Sequence, residues 1–127
     1  MKVLDPGHNY IVDNYDGEPG AVAISIPFMK RCGDGYPGNI GSNPGTNCQE
    51  LLRVLIDRVK YLNNQYEHKN NKAIIRKLRE SLWLFEDRAA ERHGFAAHDF
   101  DFRPEGIELE PTCKVCGHLM CKGHDHE

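Results

Sequence analysis

The sequence predicts an α+β fold: an N-terminal β-hairpin or small antiparallel sheet, a long antiparallel αα-hairpin, and a short C-terminal tail rich in cysteine and histidine. Three patterns predict it. Apolar residues alternate with small or polar ones between Val22 and Phe28, which is the two-residue period of a strand. From Cys48 onward the spacing changes to threes and fours, first in one long stretch and then in a second. Near the end, Cys113, Cys116, Cys121 and His124 fall within twelve residues.

Residues 1–46 form the first segment, a β-hairpin followed by a glycine-rich loop. The hairpin is expected over residues 10–31, where Val22, Ile24, Ile26 and Phe28 alternate and Asp16-Gly17-Glu18-Pro19-Gly20 supplies the turn. Pro27 has no amide hydrogen to give to a ladder, so its strand is an edge or a bulged one. Asp5-Pro6-Gly7-His8 reads as a turn leading into the first strand. Residues 32–46 read as a loop, and Gly38, Gly41, Gly45 and Asn47 stand just before a helix, where free amides and the helix dipole favour an anion. No lysine follows Gly45, so the loop is not a phosphate-transferring P-loop.

Residues 47–94 form the αα-hairpin. Cys48, Leu52, Leu55, Val59, Leu62 and Tyr66 make one stripe of a helix about five turns long, and Thr46-x-x-Gln49 matches a capping box. His68 to Asn71 is a short polar link. Ile75, Leu78, Leu82, Phe85 and Ala89 then mark a second helix that stops near Gly94. Leu51, Val54, Tyr61, Ile74, Trp83 and Leu84 lie off both stripes, so each helix carries more apolar surface than its partner covers. A second copy of the chain is expected to cover the rest.

Residues 95–112 are a linker with one short strand expected around Ile107 to Leu109. The tail, residues 113–127, is too short to fold unaided. Cys113-x-x-Cys116 and Cys121-x-x-His124 have the spacing of a small zinc knuckle, in which each two-residue gap turns a pair of side chains toward one tetrahedral ion. His118 and His126 are further donors, so which imidazole completes the set stays open. Donors in excess of four imply a closed structural zinc rather than a catalytic one.

The formal net charge of −3 argues against binding duplex nucleic acid or an anionic membrane, and no apolar run approaches the roughly 18 residues of a membrane span. MKVLDPGH lacks the apolar stretch of a signal peptide, and five cysteines, three of them in the tail, suit a metal site in a reducing cytoplasm. Cys32, Cys48, Ser25, Ser42 and Ser81 have no recognisable base beside them, so binding is expected rather than catalysis. Arg88 and Arg92, four residues apart on one helix face, repel each other unless an anion or a carboxylate lies near. With Trp83 either to stack on a base or to fill the core, and His93 at the helix end, they are the candidate nucleotide ligands.

Four stretches carry a resemblance: DPGHNY, the loop YPGN, QELLRVLIDRVKYLNNQ in the first helix and IIRKLRESLWLFEDRAAERHG in the second, together spanning residues 5–94. In these the chain resembles the phage Thoeris anti-defence sponges, which share a helical hairpin with the anti-CBASS sponges. The resemblance implies a protein that binds a cyclic ADP-ribose immune signal in the bacterial host cytoplasm and releases it unmodified. It also implies assembly into a dimer or hexamer, and in some members a separate site for cyclic di- or trinucleotides. Carried onto this chain, the contacts to cyclic ADP-ribose fall on Trp83 and His93 with Arg88 or Arg92 close by, and Asn39 of the YPGN loop joins the ligand set. A cyclic trinucleotide would meet Arg53 and Arg58. The Cys/His tail is not part of that pattern. The alternative reading takes it as the working end of a zinc-knuckle protein that binds nucleic acid or acts as an adaptor.

Overall fold

The computed structural model describes residues 1–33, 41–92, 94 and 104–109. The first three strands, β1 (Lys2–Asp5), β2 (Asn9–Val12) and β3 (Ile24–Pro27), form an antiparallel sheet in the order β1-β2-β3. The turn read at Asp5 to His8 is present, closed by the His8 amide donating to the Asp5 carbonyl over 2.9 Å, with Gly7 at φ +80°. It joins two strands rather than preceding the first, because Lys2–Asp5 is itself a strand. Val22 lies outside β3 and is exposed, so the alternation begins at Ile24. Pro27 ends β3, which among the described strands pairs with β2 alone and is an edge strand, in keeping with its missing amide.

The stretch read as a loop also contains strands. β4 (Lys30–Cys32) pairs antiparallel with β5 (Gly41–Asn43). After β5 the chain returns to the end of the first sheet. The Met29 amide donates to the Thr46 carbonyl over 2.9 Å, and the Thr46 amide donates to the Pro27 carbonyl over 2.8 Å. Gly45 makes this approach feasible: a Cβ there would stand 2.4 Å from the Phe28 carbonyl carbon.

Helix α1 (Cys48–Gln65) starts one residue later than the predicted capping box. Asn47 is the N-cap, its side-chain oxygen accepting the Glu50 amide over 2.9 Å, while both backbone groups of Thr46 are engaged by the strand end. Helix α2 (Asn71–Arg92) runs antiparallel to it and closes at Gly94, whose φ of +79° lets its amide reach the Glu91 carbonyl. Ile56, Ile75 and Leu82 are the buried core among the described residues, with Leu52, Val59, Leu78, Trp83 and Ile107 packed on it. The stripe on α1 is thus rotated from the one expected: Ile56 is at its centre, while Leu55 is 47% exposed and Leu62 40%. Val54, Tyr61, Ile74 and Leu84 are also exposed, the apolar excess foreseen in the spacing.

Residues 104–109 explain the rotation. This segment is a strap without a strand, turned at Gly106 with φ +74° and touching both helices on the flank that Ile56 faces. Ile107 packs on the core, and the Glu105 carboxylate accepts hydrogen bonds from Lys60 of α1, at 2.6 Å, and from Arg79 of α2. The Glu105 carbonyl accepts Arg53 Nε over 2.8 Å. Burial pushes the Glu105 carboxyl pKa up, but the hydrogen bonds and charges of Lys60 and Arg79 outweigh it and hold the pKa below the ordinary value. A lowered carboxyl pKa stabilises the fold above the unfolded-state value, and that stabilisation is lost as pH falls through the lower, folded-state one. Glu105→Gln is therefore expected to lower the melting temperature by several degrees near neutral pH and to show a smaller loss on acidification than the parent; equal pH profiles would show that the strap is not held by charge. Among the described residues no helix is long and apolar enough to cross a membrane.

Candidate functional site

Where the sheet end, the α1 N-terminus and the last turns of α2 meet, they enclose an open cleft of about 500 Å³. One wall is β-derived: the Gly7–His8 turn, Phe28, Met29 and Arg31. The floor is the start of α1, from Thr46 to Gln49, and the other wall is α2 with Phe85, Arg88, Ala89 and Arg92. Each element arrives for a local reason. Thr46 is pinned to Pro27 and Met29, which sets the α1 N-terminus beside the strand end. Arg88 and Arg92 are one helical turn apart and so both face the cleft.

The electrostatics of the cleft are one-sided. Three arginines line it, with no carboxylate among the described residues, in a chain whose net charge is −3. Among the described residues Arg31, Arg88 and Arg92 form no ion pair, whereas Lys30, next to Arg31, is paired with Asp5 at 3.1 Å. Arg88 lies over the Phe85 ring at 5.4 Å, which holds its guanidinium without neutralising it. The first amides of a helix have no partner one turn earlier, so the α1 end adds donors and partial positive charge. His8 fixes its ring by donating Nδ1–H to the Pro6 carbonyl over 3.0 Å. Such a cleft can hold an anion with apolar groups attached, the anion against the guanidinium groups and the apolar part against Phe28 and Phe85.

The sequence-predicted site residues separate into groups. Arg88 and Arg92 share this cleft. Trp83 does not line it: half-buried, it packs against the Ile56, Ile75 and Leu82 cluster. Arg53 is committed inside the fold, donating to Glu50 at 2.7 Å, to Glu86 at 2.6 Å and to the Glu105 carbonyl. Arg58 stands over the Tyr61 ring at 5.6 Å. These two arginines do border a second cleft of about 530 Å³, but Glu50, Asp57 and Glu108 line it too, which opposes a polyanion there. Asn39 and His93, and the zinc donors Cys113, Cys116, Cys121 and His124, lie outside the described residues. Among the described residues no group of three or more metal-ligating side chains is assembled.

Sequence reasoning missed Arg31, His8 and Phe85 as site residues. His8 carried a signal in DPGH, read only as a turn. Arg31 and Phe85 carried none, since nothing in a strand-end arginine or a stripe phenylalanine marks which cleft it borders. The chain matches no known family model, and a search of curated proteins finds no match to it.

Proposed function

We propose that the protein binds and sequesters a phosphate-bearing nucleotide signal of the cyclic ADP-ribose type and releases it unchanged. The observation that supports this reading is the cleft that Arg31, Arg88 and Arg92 line together, with no carboxylate among the described lining residues. The general class, an anion carrying apolar rings, comes from that lining; the cyclic ADP-ribose identity comes from the resemblance over residues 5–94. Sequestration asks for tight binding and slow release and for nothing else. Nanomolar affinity is roughly −12 kcal/mol, and charge-assisted hydrogen bonds contribute on the order of 1.5 to 3 kcal/mol each. Arginine contacts, helix-end amides and two phenylalanine rings together reach that scale.

The test is depletion and recovery. Cyclic ADP-ribose and its linkage isomers are incubated with excess protein, the free fraction is removed by filtration, and the retained fraction is heated and analysed by mass spectrometry. One isomer is expected to vanish from the filtrate and to return with its mass and retention time unchanged. Recovery of linear ADP-ribose would establish an enzyme instead, and full passage of every isomer into the filtrate would remove this ligand class.

A further inference from the structure

We infer that Arg31 of β4 binds the same anion as Arg88 and Arg92 of α2, so that the ligand ties the strands to the helices across the joint at Thr46. This deepens the reading just proposed and rests on it. The comparison of two neighbouring cations carries the inference. Successive side chains of a strand point to opposite faces, so Lys30 and Arg31 leave β4 in opposite directions. Lys30 meets Asp5, which also stands 3.8 Å from His8 Nδ1, and it is neutralised there. Arg31 turns into the cleft, where it meets no carboxylate among the described residues. Arg31, Arg88 and Arg92 are exposed at the rim of this open cleft, whereas the paired Arg53 and Arg79 are half-buried; what singles out Arg31 is that it borders the same cleft as the two helix arginines.

Three guanidinium groups from two walls of one cleft repel one another while the cleft is empty of anion. An anion between them converts that repulsion into a link between β4 and α2; the backbone hydrogen bonds at the neck, Met29 to Thr46 and Thr46 to Pro27, join the strand end to the start of α1. Ligand binding and closure of the neck are thereby coupled, and each strengthens the other. A ligand held from both sides leaves only when one wall moves away. Slow release follows from the same geometry as tight binding.

The experiment is titration calorimetry on the full chain with cyclic ADP-ribose isomers and, separately, inorganic pyrophosphate, using the parent protein, Arg31→Ala, Arg92→Ala and Lys30→Ala. Arg31→Ala and Arg92→Ala are each expected to weaken binding by about 10- to 150-fold, the range of one charge-assisted contact, and Lys30→Ala by less than about threefold. In hydrogen exchange, ligand is expected to slow the Met29 and Thr46 amides in the parent and not in Arg31→Ala. Parent-like affinity of Arg31→Ala beside a weakened Arg92→Ala would overturn the bridging inference and leave the helix-side site standing. Parent-like affinity of both variants, or no heat from either probe with the parent, would overturn the site reading and the inference together.

Discussion

Ile56→Asp is expected to abolish cooperative folding, seen as loss of the thermal transition in far-ultraviolet circular dichroism at neutral pH. Ile56 is fully buried at the centre of the described core, between Ile75 and Leu82. An aspartate there has no cationic partner within the apolar cluster, and burying an unpaired carboxylate costs several kcal/mol even after local relaxation. A domain of this size has on the order of 5 to 15 kcal/mol of total stability. The core loses its packing as well, so the two losses together exceed the lower half of that range. Leu55→Asp is the control. One residue away and 47% exposed, it is expected to melt within a few degrees of the parent. The reverse order of the two variants would mean that α1 is rotated back to the stripe read from its spacing.

The second large effect is at the neck. Gly45→Ala places a methyl group 2.4 Å from the Phe28 carbonyl carbon, 2.6 Å from the Met29 nitrogen and 2.7 Å from the Phe28 oxygen. All three are main-chain atoms, which have no rotamer to swing away. The strand end and the Thr46 segment must separate, breaking the Met29 to Thr46 and Thr46 to Pro27 hydrogen bonds, each contributing about 0.5 to 1.5 kcal/mol. The helical hairpin has its own core and is expected to keep its circular dichroism signal. The cleft, built across the neck, is expected to lose about 100-fold or more of its affinity, since misplacing one wall removes several contacts at once. Retained helicity with lost binding is the signature. A variant that binds like the parent would show that the neck is not what positions Arg31 against α2.

The helices were the most legible part of the fold because the three-four period is local: both lie where the spacing placed them, and Gly94 ends α2 for the reason glycine ends helices. The phase of α1 was not legible. It is set by residues 104–109, which touch the helix from 52 positions away through Arg53 and 45 through Lys60, and no local pattern records such a contact. β1 escaped notice because Lys-Val-Leu-Asp is too short to show alternation. β4 and β5 escaped because glycine and proline dominate the residues around them, and turn chemistry reads the same in a loop as in a hairpin.

The candidate site divides along the same line. Arg88 and Arg92 could be found because their four-residue spacing is itself a physical statement about one helix face. Arg31 could not, since it reaches them only through the neck. Trp83 shows the limit of reasoning from residue type: a tryptophan near a helix end fits a stacking platform and a core equally well, and only the fold shows that it packs, half-buried, against Ile56, Ile75 and Leu82.

The most direct test of the anion-holding cleft is titration of the double variant Arg88→Ala, Arg92→Ala with the cyclic ADP-ribose isomer that the parent retains. The account predicts that affinity falls by about 100-fold or more while the melting temperature without ligand is unchanged or higher, because two unpaired like charges are gone. Parent-like affinity in a folded double variant would contradict it.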